Sequence, residues 1–131
     1  MFGKKSVKGN KVLLLEDDAL LANILIDSLV REKFDVVNIK DGLQAFEAAQ
    51  KFQPDAILLD LILPGLDGFE VLRQLKDDNK LKKIPVFIIS NLDSISEVKS
   101  AKALGAEDYF IKANTDINKI IKIVSKKINH K

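Results

Sequence analysis

The sequence has no cysteine and no tryptophan, and it contains only three prolines and six glycines among 131 residues. Without cysteine, neither a disulfide nor a thiolate metal site can form. No apolar run approaches membrane-spanning length, and no apolar segment follows Lys4, Lys5 and Lys8, so no secretory signal is visible. A formal net charge of +2 is too small to argue for direct nucleic-acid binding. These absences favour a cytoplasmic protein without a membrane segment.

The composition suits one folded domain of ordinary size. Apolar residues make up 47% and charged residues 31% of the chain, so a core can form beneath a charged surface. The sequence shows no internal repeat, no low-complexity segment and no linker between domains. We expect a basic N-terminal extension over residues 1–10 and a single domain over residues 11–131.

Five short apolar runs alternate with segments of helix length. The runs cover residues 12–15, 34–39, 56–59, 86–89 and 108–111. Alternation of this kind indicates βαβ crossovers and a parallel sheet. We therefore predict an α/β fold, with a doubly wound sheet of five parallel strands and five helices.

Short polar residues mark the predicted helix starts. Three pairs have the spacing of a capping box: Asp41 with Gln44, Asp67 with Glu70, and Ser94 with Glu97. Thr115 is predicted to cap the last helix, and Gly105 is predicted to end the fourth.

Polar residues end four of the five apolar runs. Glu16 and Asp17 follow the first run, Asp60 the third, Ser90 the fourth and Lys112 the fifth. In open α/β sheets, sites form outside the carboxyl ends of the strands, where the strand order reverses. We therefore expect these five side chains to lie close together.

Carboxylates gathered without cysteine or histidine favour a hard divalent cation, and Mg²⁺ is the expected one. Asp60 can accept a phosphoryl group, since a carboxylate can form an aspartyl phosphate. Lys112 supplies a fixed positive charge, and the Ser90 hydroxyl can hydrogen-bond a phosphoryl oxygen. The predicted cluster therefore has the parts that phosphoryl transfer requires.

Four stretches of the sequence resemble one known family. They are residues 13–18 (LLLEDD), 58–68 (LLDLILPGLDG), 85–90 (PVFIIS) and 108–112 (DYFIK). In this order and at these separations, they resemble the receiver domain of the bacterial two-component response regulators, over essentially the whole chain. The resemblance implies a flavodoxin-like fold with strand order 2-1-3-4-5.

The resemblance assigns a role to each residue of the acidic cluster. Asp60 corresponds to the phosphoaccepting aspartate. Glu16 and Asp17 correspond to the acidic pair that organises Mg²⁺, Asp17 directly and Glu16 through water. The Asp60 carboxylate and the Ile62 backbone carbonyl complete the implied metal ligands.

The resemblance also implies a switch. Ser90 corresponds to the switch hydroxyl, Lys112 to the invariant lysine of the family, and Tyr109 to the aromatic residue that changes rotamer on activation. The implied protein is not an enzyme but a phosphoacceptor, which assists its own phosphorylation and dephosphorylation. Its phosphoryl group would come from a histidine kinase or a phosphotransfer protein.

The implied output face consists of the fourth helix, the fifth strand and the fifth helix. Lys119, Lys122 and Lys126 fall on the exposed side of the last helix, either as a solvated face or as a partner-binding one. The sequence leaves the output protein open, and a phosphorylation-dependent homodimer is one expectation.

Three positions depart from the family pattern. Ala113 follows the lysine where proline is usual, which predicts a trans or mobile peptide, because a non-proline cis bond costs about 2.5–4 kcal/mol. Asn91 stands where a smaller residue usually follows the switch hydroxyl. Leu92, the third departure, stands where many relatives have a polar residue. By the resemblance, Leu92 and Ile62 flank the approach of water to a phosphoryl group, and because both are apolar, slow hydrolysis is implied.

Two alternatives remain open at this point. One is a protein-interaction module of the same fold that no longer turns over phosphate, which Ala113 and Asn91 favour. The other is a metal phosphohydrolase with an aspartate nucleophile. That class usually has a second carboxylate two residues after the nucleophile, and Ile62 occupies this position.

Overall fold

The structure, a computed structural model, describes residues 10–129, and within them five strands alternate with five α-helices. In chain order the elements are β1 (Lys11–Leu15), α1 (Ala19–Arg31), β2 (Asp35–Ile39), α2 (Ala45–Phe52), β3 (Ala56–Leu59), α3 (Gly68–Asp77), β4 (Val86–Ser90), α4 (Ile95–Ala103), β5 (Asp108–Ile111) and α5 (Ile117–Asn129). Two 3₁₀ turns, Gly42–Gln44 and Lys112–Asn114, stand before α2 and α5. Most of the expected extension over residues 1–10 lies outside the described residues, so this domain boundary stays a prediction. No helix within residues 10–129 is long and apolar enough to cross a membrane.

The strands form one parallel sheet in the order β2-β1-β3-β4-β5, which confirms the predicted topology. The order reverses between β1 and β3, so the crevice beyond their carboxyl ends is the expected place for a site. Leu15, the last residue of β1, is in register with Ile39 of β2 and Leu59 of β3. Glu16 and Asp60 each follow by one residue and therefore leave the sheet side by side.

Helices cover both faces of the sheet, which explains why its central strands are apolar at nearly every position. Val12 and Leu14 belong to the core cluster shared with α1 and α5, whereas Leu13 and Leu15 belong to the one shared with α2, α3 and α4. α4 has a single buried residue, Ala101. The central strands are therefore firmly held, and α4 is held by far less apolar contact.

The capping predictions for α4 and α3 differ in outcome. The Ser94 hydroxyl accepts the Glu97 N–H, and the Glu97 carboxylate accepts the Ser94 N–H, which confirms the capping box of α4. Asp67 caps α3 as predicted. However, the Glu70 carboxylate pairs with Arg73 and does not close the box. Glu70 thus meets a cation one turn later on its own helix, which competes with the cap.

Two predicted helix starts are wrong. Asp41 caps a 3₁₀ turn rather than α2, so Gln44 precedes the helix and makes no capping hydrogen bond. At α5, the carboxylate of Asp116 accepts the backbone N–H two residues later, whereas the prediction gave the cap to Thr115. Adjacent residues that are both good caps cannot be distinguished by spacing alone.

Candidate functional site

Asp60 follows the last residue of β3 and is 4% exposed. Its backbone N–H donates to the Leu15 carbonyl at 2.9 Å, which fixes it against the end of β1. The Oδ1 atom accepts the Ile62 N–H at 3.0 Å, and Oδ2 accepts a hydrogen bond from the Lys112 ammonium at 2.7 Å. Both oxygens of this buried acid are therefore held by donors, as burial of a charged group requires.

Glu16 lies beside Asp60 at the end of β1 and is 1% exposed. Its Oε1 lies 3.1 Å and its Oε2 3.3 Å from the Lys112 Nζ atom. Oε2 also accepts the Asp18 N–H at 3.0 Å. Lys112 reaches both acids from the turn after β5, where the Lys112–Ala113 peptide bond is trans. One ammonium group thus bridges the two buried carboxylates.

Burial and neighbouring charges shift the pKa values of Glu16 and Lys112. Burial raises the pKa of Glu16; the Asp18 N–H opposes this, the Asp60 charge adds to it, and Lys112 opposes it. Burial by itself lowers the pKa of Lys112, but the hydrogen bonds and charges of Asp60 and Glu16 outweigh it and raise that pKa. Lys112 therefore keeps its positive charge at neutral pH.

Glu16, Asp17 and Asp60 each offer a carboxylate oxygen, and these atoms lie within 4.8 Å of one another. The three acids carry three negative charges and Lys112 one positive charge, which leaves two negative charges for a divalent cation to balance. The Ile62 carbonyl accepts no hydrogen bond within residues 10–129, so it is a further available oxygen. An all-oxygen donor set of this kind fits Mg²⁺.

The predicted acids and Lys112 line an open cleft of about 440 Å³ at the carboxyl edge of the sheet. Ile62, which is 56% exposed, forms part of the wall, as expected. Asn91 is exposed and lies in the wall as well. Leu92 is half-buried and packs against the core, so it differs from the expectation that it flanks this cleft.

Ser90 and Tyr109 do not line the cleft, although Ser90 was expected to, and both instead hold the loop between β4 and α4. Ser90 is fully buried, and its Oγ atom accepts the Leu92 N–H at 3.3 Å. The Tyr109 hydroxyl donates to the Leu92 carbonyl at 2.6 Å. Burial, and after it the charge of Glu97, raises the pKa of Tyr109, so the hydroxyl remains a donor at neutral pH. Both expected switch residues therefore contact one loop residue.

Asn38 supports the site and was not predicted from the sequence. It lies in β2, and its amide nitrogen donates to the Leu14 carbonyl at 3.0 Å and the Glu16 carbonyl at 3.2 Å. This side chain fixes the backbone at the point where β1 passes into the acidic segment. The available signal was a polar residue that interrupts the apolar run over residues 34–39.

Comparison with known proteins agrees with this architecture. The response regulator receiver domain family matches residues 12–125. The DNA-binding response regulator MtrA of Mycobacterium tuberculosis (strain ATCC 25618 / H37Rv) is 37% identical over 102 residues, which cover 78% of this chain and 43% of MtrA. The chain thus spans less than half the length of this relative.

Solved receiver domains share the fold. The BeF3-activated N-terminal receiver domain of Klebsiella pneumoniae RstA has a TM-score of 0.81 at 28% identity, covering 91% of this chain and 98% of that one. The receiver domain of the Pseudomonas aeruginosa sensor histidine kinase PA1611, with magnesium coordinated in its active-site cleft, has a TM-score of 0.82 at 25% identity, covering 92% and 98%. From sequence, fold and site together, this chain belongs to the family of response regulator receiver domains.

Proposed function

We propose that this chain is a signalling switch in which Asp60 receives a phosphoryl group from a histidine kinase or a phosphotransfer protein. The observation that carries the proposal is the setting of Asp60. It is a buried carboxylate at an open cleft, with the Lys112 ammonium 2.7 Å away and two further acids beside it. That combination supplies an acceptor oxygen, a fixed cation and a place for a metal.

The proposed metal is Mg²⁺, held by the carboxylates of Asp17 and Asp60 and by the Ile62 carbonyl. Glu16 suits a water-mediated role, because Lys112 already contacts both of its oxygens. When bound, Mg²⁺ supplies positive charge that neutralises phosphoryl oxygens. The magnesium ion in the PA1611 receiver domain supports this assignment by similarity.

In the proposed transfer, an Asp60 oxygen forms a bond to phosphorus while the bond from phosphorus to the donor histidine nitrogen breaks. The ionised carboxylate attacks directly, so no side chain has to remove a proton from it. Lys112 stays protonated and offsets the charge of a phosphoryl oxygen. The Ser90 hydroxyl can donate to another phosphoryl oxygen once the β4–α4 loop has moved, because Ser90 is fully buried in this structure.

The proposed output is a change in the face formed by α4, β5 and α5. Tyr109 connects the cleft to this face, because it lies in β5 and its hydroxyl holds the loop that leads into α4. Lys119, Lys122 and Lys126 are exposed on α5 and would meet either an output protein or a second copy. The proposal includes a cytoplasmic location, where the kinase would reach the cleft.

Asp60→Asn should abolish phosphorylation while leaving the fold intact, because an amide cannot act as the acceptor. Intact mass after treatment with acetyl phosphate, with and without Mg²⁺, tests this directly. The native protein should gain one phosphoryl mass only when Mg²⁺ is present. Asp55→Asn is a matched control, since Asp55 lies at the other end of β3 and bonds to Lys11. Equal mass gain in the native and Asp60→Asn proteins would contradict the assignment of Asp60 as the phosphoryl acceptor.

The same measurement addresses the interaction-module alternative. Asn91 lies in the cleft wall, and that alternative requires its side chain, larger than the residue usual in the family, to block access to Asp60. A native protein that neither binds Mg²⁺ nor gains mass would identify the chain as a receiver fold used for protein contact alone. Restored labelling in Asn91→Ala would then assign the loss to this side chain.

A further inference from the structure

We propose that the β2–α2 turn, at Asp41 and Gly42, is a positioning clamp for the loop between β3 and α3, residues 61–67. The inference rests on the proposed function, because this loop carries the Ile62 carbonyl, a proposed Mg²⁺ ligand. Neither clamp residue lines the acidic cleft. Their effect on the metal therefore has to pass through the loop backbone.

Gly42 is buried and contacts the loop through backbone atoms. Its N–H donates to the Pro64 carbonyl at 2.9 Å. A Cβ atom at position 42 would lie 2.0 Å from the Leu66 carbonyl oxygen and 2.8 Å from the Leu66 carbonyl carbon. Backbone atoms cannot yield as the end of a flexible side chain can, so this approach requires glycine.

Gly65 meets the same turn from the loop side. Its φ is +83°, and a Cβ atom there would lie 1.9 Å from the Asp41 Oδ1 atom. That oxygen is held in place, because it accepts the Leu43 N–H at 2.8 Å. Glycine at both positions thus permits the close approach of turn and loop, Gly42 against the Leu66 backbone and Gly65 against the Asp41 side chain.

The turn holds the middle of the loop, where the one other backbone hydrogen bond among the described residues lies within the loop itself, from the Leu66 N–H to the Pro64 carbonyl at 3.0 Å. The start of the loop is held by the Ile62 N–H bond to Asp60, and its end by the Gly68 N–H bond to the Leu61 carbonyl at 2.8 Å. Within residues 10–129, the one backbone hydrogen bond from another element to the middle of the loop comes from Gly42. Pushing the turn outward therefore displaces the loop two residues from Ile62.

A metal ligand that moves loses affinity, and partners that orient ligands typically affect metal affinity by about 10–100-fold. Gly42→Ala should therefore weaken Mg²⁺ binding by about tenfold or more. Isothermal titration calorimetry with MgCl₂ measures the affinity, at a temperature where circular dichroism shows the variant to be folded. Hydrogen exchange without metal should show faster exchange of the Leu66 amide in the variant, because the hydrogen bond from the Gly42 N–H no longer holds the middle of the loop.

Gly105→Ala is the matched control. Gly105 ends α4 as predicted from the sequence, and its φ of +110° makes alanine strained there. Its nearest contact is the Lys76 side chain, away from the cleft. This control should lower the melting temperature and leave Mg²⁺ affinity at the native value, which separates positioning from general destabilisation.

If Gly42→Ala does not fold, Gly65→Ala with and without Asp41→Ala replaces it. Gly65→Ala alone should weaken Mg²⁺ binding, and adding Asp41→Ala should restore part of it by removing the oxygen that the new Cβ meets. Native Mg²⁺ affinity in a folded Gly42→Ala or Gly65→Ala protein overturns the clamp while leaving the proposed function standing. A native protein that binds no Mg²⁺ overturns the proposed function, and the clamp with it.

Discussion

The Lys112 ammonium lies within 3.3 Å of oxygens from two buried acids, Asp60 and Glu16. Taking such charges out of water is costly, so the value of this arrangement lies in leaving no buried charge unpaired. Asp17 differs, because it is exposed and no ion pair or hydrogen bond holds its carboxylate within residues 10–129. Without metal, its charge adds to the repulsion among the acids.

Asp17→Asn should therefore raise the melting temperature of the metal-free protein modestly and weaken Mg²⁺ binding by about tenfold or more. Both effects come from removing one of three clustered negative charges. Melting curves with and without MgCl₂ measure them together. A variant that melts lower without metal and still gains fully from Mg²⁺ would contradict the clustered-acid picture.

Ile62 carries a second prediction at the residue scale, since its exposed apolar side chain cannot orient a water molecule beside Asp60. Positioning of the nucleophile is a large part of phosphoryl-transfer catalysis, so we expect slow hydrolysis of the phosphorylated native protein. Ile62→Asn should lose the phosphoryl group several times faster, and Ile62→Leu should resemble the native protein. Mass-resolved decay after removal of acetyl phosphate gives the rates. Native decay as fast as that of Ile62→Asn would refute the water-exclusion argument.

At the scale of elements, α3 and the segment before β4 are connected by Lys76. Its ammonium donates to the Lys82 carbonyl at 3.1 Å and to the Ile84 carbonyl at 2.9 Å. Burial lowers the pKa of Lys76, and the charge of Glu107 opposes this only in part. Lys76 thus stabilises the segment before β4 through two hydrogen bonds, whereas the burial of its charge is unfavourable.

Lys76→Met should lower the free energy of unfolding by about 1–2 kcal/mol at neutral pH, because two hydrogen bonds are lost. The pKa of Lys76 is lower in the folded than in the unfolded protein, so the folded state binds this proton more weakly. The stabilisation that Lys76 contributes through this pKa difference is therefore complete when the pH is above the pKa of 10.5 in the unfolded protein. It is lost as the pH falls through the lower pKa in the folded protein. The advantage of the native protein over Lys76→Met should grow as the pH rises toward 10.5.

Urea unfolding of both proteins at about pH 7 and about pH 10 measures this difference. Lys80→Met is a suitable control, because Lys80 is exposed and no hydrogen bond or ion pair holds its ammonium within residues 10–129. A difference between native protein and Lys76→Met that shrinks with rising pH would show that burial of the charge is not the controlling effect.

At the scale of the whole molecule, the cleft is connected to two separate regions. Through Leu92, the Tyr109 hydroxyl links the end of β4 to the proposed output face, and α4 in that face has a single buried residue. Through Gly42, the loop after β3 contacts the β2–α2 turn. A weakly packed element responds most to a change at the cleft, because few contacts oppose its movement.

Beryllofluoride with Mg²⁺ should therefore shift backbone amide resonances of α4, β5 and α5 in the native protein, with smaller shifts near Gly42. Asp60→Asn should show none of these changes, which makes it the control for non-specific effects of the reagent. Size-exclusion chromatography of the same samples tests self-association through the output face. Shifts confined to residues 34–53, with α4 and α5 silent, would contradict the proposed output face.

The sequence by itself determined the fold class, the strand order implied by the family resemblance, and the residues at the carboxyl edge. These features are local: apolar runs define buried strands, and a polar residue at the end of a run marks the point where a strand leaves the core. Because parallel strands end at one edge, residues as far apart in the sequence as Glu16 and Lys112 were expected to lie close together. The Lys112 Nζ atom does lie 3.1 Å from the Glu16 Oε1 atom.

Only the tertiary structure decided the contacts that depend on how separate loops approach each other. Leu92 turns toward the core because the chain after Ser90 is held by Tyr109, and a neighbouring residue, Asn91, takes the place in the cleft wall. The close approach of Gly42 to Leu66 has no local signature at all. Nothing in the sequence around a glycine tells which backbone, distant along the chain, will come within contact distance of its missing side chain.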